Sequence, residues 1–576
     1  MATPGDNLTA VDMNVTSNAT AYASSPPISS PLSFLLYHKD LIILQTQLVS
    51  SALGIIYLGA HGALRRPPSA APPDKTKKGR KSREPEPFTE GLQASDAILF
   101  PLLAGTVLVG LYYLIKWLQD PEILNKILRG YMSLASVASM GLLFTDTLHF
   151  LTSFVFPTVW TDMRGNVYRV DQAAQCQWKV YRHWPSRIPG LRPAFRSPLP
   201  GTLSHRFEWP SNPGSLWALR RTLKEEWTVR VSLHGLLKES FHVTLNGLIG
   251  LTLSLGVATY YHFTNSPTVS NMLGLGLSYG SFMVMSCTSF TVGSLVLIGL
   301  FFYDIVMVFY TPYMVTVATK LDAPIKLVFK APGRASLLGL GDIVVPGIFI
   351  CLALRFDLWR YYQKQVKYVD TELETEVKGD ISEKSVTTTQ VRKRAVKKPY
   401  INPQGQWGNR FWTLPVKVSP VATKGLWAAA FPKTYFYASM LGYTLGMLAT
   451  LSMLVIFKHG QPALLYLVPG VVGCTWLTGL IRGELHEMWI YTEDGSIDTQ
   501  DVIVEVDADG NVIKEVAHKE DKKDEKDKSG EKSSEKEGNE TDGDAKGAKD
   551  KKSSGAHDVF LFAITAPGDA EFEDEE

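Results

Sequence analysis

The chain has 576 residues, with 58 Lys and Arg against 56 Asp and Glu, a net charge of +2 and 45% hydrophobic residues. So even a balance argues against a bulk polyanionic partner such as nucleic acid. The mean hydropathy of +0.01 conceals long apolar segments alternating with long charged ones, the pattern of a membrane protein. Cys176, Cys287, Cys351 and Cys474 lie far apart without C-x-x-C spacing. They offer no disulfide framework or zinc-ligand set, and reduced or buried thiols are expected, with no metal or other cofactor.

Residues 1–31 are polar and lack the basic and apolar regions of a cleavable signal peptide. They contain three N-x-[ST] sequons, at Asn7, Asn14 and Asn18, which favours a lumenal, glycosylated N-terminal segment. A fourth match, Asn539, sits in the charged tail and reads as a chance one.

A membrane-spanning helix takes roughly 20 mostly apolar residues. Segments of that kind occur at 41–62, 97–115, 133–156, 245–263, 271–289, 292–313, 336–354, 434–457 and 462–481. The fifth is the least apolar, because it contains Ser278, Ser281, Ser286, Thr288 and Ser289. The expected fold is therefore an all-α polytopic membrane protein of about nine spans. An odd number of spans sets the termini on opposite sides. The 64–93 loop carries Arg65, Arg66, Lys75, Lys77, Lys78, Arg80, Lys81 and Arg83. That cluster places the loop in the cytosol, the N-terminus in the lumen and the C-terminus in the cytosol. Loops 157–244 and 355–433 are then cytosolic too, and both are rich in Arg and Lys. Residues 314–335 run against this scheme, being lumenal yet carrying Lys320, Lys326, Lys330 and Arg334.

The division that follows is a lumenal segment 1–31, a three-span region 32–244, a catalytic membrane domain 245–490 with an insertion at 355–433, and a cytosolic tail 491–576. The 157–244 loop contains His183-Trp184-Pro185, Arg192-Pro193 and Trp209-Pro210. Without clean periodicity it reads as an irregular insertion. From about residue 515 the tail is rich in Lys, Glu, Asp, Gly and Ser and is expected to be disordered. Asp507-Ala508-Asp509-Gly510-Asn511 is not a calcium loop, since its glycine comes two places early and position twelve is His518.

Chemistry concentrates at two aspartates. An ionisable side chain near the bilayer centre costs roughly 2.5–3.5 kcal/mol on insertion scales. Asp304 lies within Leu297–Val308 and Asp342 within Leu337–Val345, neither with Lys or Arg in its run. Asp304 precedes Tyr313 by nine residues and Asp342 follows Ser336 by six. At about 1.5 Å per residue they lie roughly 13 and 9 Å below the same face, so the carboxyls can meet. Two carboxyls together in an apolar setting share one proton. The ionised one can take a proton from water while the protonated one polarises a scissile carbonyl. Gly339 and Gly341 allow the backbone to bend and another chain to approach. A helical substrate must unwind to expose its carbonyls, and an unwound stretch can pair with exposed backbone.

Each aspartate alone fits an interhelical hydrogen bond or a proton relay equally well. Asp146 and His149 read as structural, Lys39 and Asp40 as interfacial. Gly276/Gly280 and Gly442/Gly446 have the G-x-x-x-G spacing of close helix packing.

Tyr303-Asp304, Gly339-Leu340-Gly341-Asp342 and Pro462-Ala463-Leu464, in that order and each in an apolar span, resemble the signal peptide peptidases among the presenilin-type intramembrane aspartyl proteases. Ala323–Phe329, Ile343–Gly347 and Gln461–Pro469 look like the peptidase subgroup rather than presenilin. The resemblance covers roughly 245–490. It implies a nine-span presenilin-like fold, Asp304 and Asp342 as catalytic pair, and a site shaped by Tyr303, Gly339, Leu340, Gly341, Pro462, Ala463 and Leu464. It further implies cleavage of signal-peptide remnants and other single transmembrane helices in the endoplasmic reticulum membrane. A homo-oligomer or a quality-control complex there would be the partner beyond substrate and bilayer. The chain ends in Glu573-Asp574-Glu575-Glu576 rather than the dilysine signal of some relatives. Readings from other classes are a proton-coupled transporter or channel using the same aspartates, and a non-proteolytic adaptor that binds membrane helices.

Overall fold

The computed structural model describes residues 39–72, 90–118, 121–180, 194–201, 203–204, 213–233, 237–321, 324–331, 334–376, 387–405, 407–413, 430–457, 461–493, 502–506, 512–517 and 560–565. Asn7, Asn14, Asn18, Asn539 and the 507–511 stretch lie outside the described residues, as does most of the tail beyond residue 515.

In the larger of two compact units, the helices are α1 (Lys39–Gly62), α2 (Asp96–Leu118), α3 (Pro121–Val155), α4 (Pro213–Lys224), α5 (Leu245–Thr264), α6 (Pro267–Val284), α7 (Phe290–Phe309), α8 (Tyr313–Lys320), α9 (Gly341–Gln363), α10 (Trp407–Thr413), α11 (Thr434–Phe457), α12 (Leu464–Arg482) and α13 (Leu485–Ile490). Local signals set several ends. The Thr244 side chain accepts from Gly247 N ahead of α5, and the Ser289 side chain accepts from Val292 N ahead of α7. Asn265, at φ +50°, ends α5, and Pro267 opens α6 two residues later.

Each of the nine expected spans contains a helix, but the fifth turns to strand at Met285–Cys287 and the seventh begins as strand through Gly339. By length and apolar composition α1, α2, α3, α7, α11 and α12 are long and greasy enough to cross a bilayer. The segments of α5, α6 and α9 are less apolar. α9 carries Asp342, Arg355, Asp357 and Arg360, which only a protein-surrounded helix can accommodate. It is the central helix: every residue from Pro346 to Arg360 is buried, against α1, α6, α7, α11 and α12.

Close approach between helices uses glycine, as the spacing implied. A Cβ on Gly276 or Gly280 would meet Met140 or Ser139 of α3, and one on Gly442 or Gly446 would meet the backbone of Gly470 or Tyr466 in α12. Without water to drive association, such backbone-to-backbone packing is what holds membrane helices together. Several polar groups inside the bundle are hydrogen-bonded to one another. The Tyr279 hydroxyl donates to Asp146, and His149 contacts Thr244 and Asn246.

The unit's strands are β1 (Glu90–Leu92), β2 (Val159–Thr161), β3 (Val167–Asp171) and β4 (Cys176–Val180). The β2-β3-β4 sheet is antiparallel and packs Trp160, Tyr168 and Val170 with Trp217 of α4. This part of the 157–244 loop is thus a small ordered core rather than irregular chain. Its aromatic residues are spaced too irregularly to show a period, and they meet only through the sheet.

β5 (Trp227–Leu233) and β6 (Leu237–Val243) belong to the smaller unit. β7 (Met285–Cys287) follows α6 in the larger unit and pairs in parallel with β1. There too, β8 (Lys326–Ala331) and β9 (Arg334–Gly339) form a hairpin between α8 and α9. The remaining strands are β10 (Lys367–Glu376), β11 (Thr387–Val396), β12 (Val502–Val506), β13 (Val512–Ala517) and β14 (Phe560–Thr565). The smaller unit pairs β10 with β11 and β12 with β13, and orders β14-β5-β6 in a third sheet.

Candidate active site

Asp304 sits on α7, five residues before its last residue, Phe309, and is 4% exposed. The expected span ran on to Tyr313. Instead α7 stops short of Thr311-Pro312, and α8 begins afresh after the proline, which cannot continue a helix.

Asp342 is placed differently from expectation as well. The residues expected to open its span, 336–339, are strand, and α9 begins only at Gly341. Asp342 therefore stands in the first turn of α9, at a strand-to-helix junction. A carboxyl is favoured there by the unsatisfied N–H groups and the dipole of the helix. The Gly339 main chain lies against its carboxyl, where an added Cβ would come within 3.3 Å of Oδ2, and the Tyr443 hydroxyl of α11 donates to its main-chain oxygen at 3.3 Å.

The carboxyls of Asp304 and Asp342 are near enough to interact electrostatically. The third motif joins them. The Leu464 N–H, at the first residue of α12, donates to Asp304 Oδ2 at 2.9 Å. Pro462 is buried and Ala463 half-buried, with Ala463 at the residue just before α12.

Among the other expected site residues, Tyr303 is half-buried, next to Gly105 of α2. Leu340 N donates to Ile325 O at 3.0 Å, continuing the hairpin ladder into the junction. A Cβ on Gly341 would meet nothing within 4 Å, whereas one on Gly339 would lie 3.3 Å from Asp342 Oδ2. Tyr443 was not singled out from sequence. It lies beside Gly442 in the packing motif, and nothing in its local pattern points to Asp342.

A sequence model of the signal peptide peptidase family matches residues 84–495. The chain belongs to the signal peptide peptidase family. Both aspartates and Pro462-Ala463-Leu464 fall inside the match. The mouse signal peptide peptidase is 33% identical over 259 residues, 44% of this chain and 50% of that protein. The human one is 32% identical over 259 residues, 44% of this chain and 51% of that protein. A probable intramembrane protease of Schizosaccharomyces pombe is 32% identical over 262 residues, 45% of this chain and 68% of that protein. The chain thus spans about half the length of the mouse and human relatives. No solved structure matches.

Proposed function

We propose that this family member is an intramembrane aspartic endopeptidase, with Asp304 and Asp342 as its catalytic pair. The observation that carries the reading is the neighbouring of two intramembrane carboxyls, one of them held by the Leu464 N–H. The pair shares one proton. The ionised carboxylate takes a proton from a water, whose oxygen attacks the scissile carbonyl carbon. The protonated partner donates to the carbonyl oxygen, and the C–N bond breaks as the leaving nitrogen is protonated. Because the two carboxyls titrate together, acid and base are roles of the pair.

Substrates are signal-peptide remnants and other single membrane helices, and the mouse and human relatives are named for signal peptides. Such a helix hides its carbonyls until it unwinds. The β8-β9 backbone, running directly into the Asp342 junction, supplies a pairing partner for an unwound stretch. Pro462, Ala463 and Leu464 shape the opposite wall, and Tyr303, Gly339, Leu340 and Gly341 complete the site. The setting is the endoplasmic reticulum membrane, with a lumenal N-terminus glycosylated at Asn7, Asn14 and Asn18 and a cytosolic C-terminus, in a homo-oligomer or a quality-control complex.

The test is cleavage of a synthetic signal peptide by the purified chain in liposomes. Wild type cuts inside the apolar stretch and is blocked by an aspartic-protease transition-state isostere. Asp304→Ala and Asp342→Ala stay folded and do not cut. Intact cleavage by Asp342→Ala would end the two-aspartate mechanism, and binding without cleavage by wild type would make the chain an adaptor.

A further inference from the structure

Asn271, one turn into α6, meets the outer edge of β8 from 57 positions away. Its Nδ2 donates to Val328 O at 2.8 Å, and Val328 N donates to its Oδ1 at 2.8 Å. The carboxamide thus completes both main-chain groups of one strand residue, as a neighbouring strand would. Since both Val328 groups point away from β9, Val328 and Leu337 form a non-hydrogen-bonded pair. The alternation then turns the Gly339 N–H outward too. That agrees with the closeness of Gly339 to the Asp342 carboxyl, whose Oδ2 lies 3.3 Å from where a Gly339 Cβ would be, and with the ladder bond from Leu340 N to Ile325 O. The same face of α6 is fitted to the hairpin, for a Cβ on Gly274 would lie 3.3 Å from Leu327 and 3.4 Å from Leu340.

We infer that Asn271 is a positioning residue for Asp342: its carboxamide locks the β8-β9 hairpin to α6, and the hairpin in turn holds the Gly339 N–H against the Asp342 carboxyl. The role in catalysis rests on the endopeptidase reading, whereas the lock on the hairpin does not. The geometry requires one donor and one acceptor on the same planar group. A protonated carboxylic acid offers both, an ionised carboxylate only the acceptor, and a leucine of similar shape neither.

The experiment compares wild type, Asn271→Leu and Asn271→Asp in liposomes. For Asn271→Leu, kcat falls about tenfold with KM little changed, because a misplaced reacting group costs rate rather than binding. For Asn271→Asp, activity divided by that of wild type at the same pH rises as the pH is lowered through the carboxylate range. The new carboxyl then gains the proton it needs to donate to Val328 O. Asn271→Leu shows no such recovery. A deficit in Asn271→Asp that does not vary with pH, or full activity in both variants, overturns the inference.

Hydrogen exchange over 326–339 reads the lock without any cleavage assay. It is faster in Asn271→Leu than in wild type, and unchanged exchange also overturns the inference. If wild type fails to cleave while exchange still responds, the endopeptidase reading fails and the lock stands.

Discussion

Leu464 N lies 2.9 Å from Asp304 Oδ2, across 160 residues of sequence. The N-terminal residues of a helix have N–H groups without intrahelical acceptors, and α12 directs one of its own at the first aspartate. The carboxyl thereby gains a fixed orientation, and the helix end gains an acceptor for a buried N–H that would otherwise be left unpaired.

This relationship separates two substitutions at one position. Asp304→Asn retains an oxygen for the Leu464 N–H, whereas Asp304→Ala leaves that buried donor without its acceptor, at a cost of about 1–3 kcal/mol. Both variants lose cleavage. In detergent, thermal unfolding of Asp304→Asn stays close to wild type, and Asp304→Ala unfolds at lower temperature. Equal unfolding of the two would mean that the hydrogen bond contributes nothing to the fold.

The two kinds of glycine also part company. At Gly341, which is exposed, an added methyl meets nothing within 4 Å. Gly341→Ala therefore keeps stability within about 0.5 kcal/mol while losing cleavage by about tenfold or more, since on the endopeptidase reading the substrate chain enters this open space. At Gly442 the methyl would run into Gly470 O, a backbone atom that cannot swing aside. Gly442→Ala destabilises the protein by about 1–3 kcal/mol or more through overpacking. Unfolding curves measured beside cleavage rates distinguish the two.

Spans and aspartates were readable because each rests on a short-range signal: twenty apolar residues, or a carboxyl among them. The G-x-x-x-G pairs were readable for the same reason, and Gly276, Gly280, Gly442 and Gly446 all sit at close helix contacts. The start of α9 was not. Ser336–Gly339 is apolar enough to merge with the helix that follows, and a run of that length has no period to mark it as strand. Its identity is decided by pairing with β8, and β8 is steadied by Asn271, a residue from another span. The contact of Leu464 N with Asp304 was equally hidden, because a main-chain donor leaves no mark in side-chain chemistry. Tyr443 and Trp217 belong to the same class, as residues whose partners are chosen by the fold.

Asp357, far along α9 from Asp342, acts as a cap supplied by a neighbouring helix. Its Oδ2 accepts from Phe436 N at 3.0 Å and its Oδ1 from Tyr435 N at 3.3 Å, in the first turn of α11. Asp357→Ala removes the cap and costs about 1–2 kcal/mol, within the range of lost helix caps. Asp357→Asn, which can still accept, loses less. Denaturant unfolding in detergent gives the two values, and a loss for Asn as large as for Ala would show that the charge rather than the capping oxygen matters.

Glu493, just beyond α13, joins elements that are distant in sequence. It pairs with Arg355 of α9 and with Arg65 after α1, and Ser286 of β7 bonds to both it and Arg355. Arg355 is buried, and its guanidinium has no aqueous alternative to these partners. Removing one member of a buried pair strands the other charge, at a cost of about 3–5 kcal/mol, whereas replacing both by apolar groups is often neutral. Glu493→Ala is therefore strongly destabilised, and Arg355→Leu with Glu493→Leu regains most of the loss. Arg65, partly exposed, turns to solvent in the double variant without comparable cost. The check is a double-mutant cycle on unfolding free energy. Additive losses would show that Arg355 and Glu493 do not act as a pair.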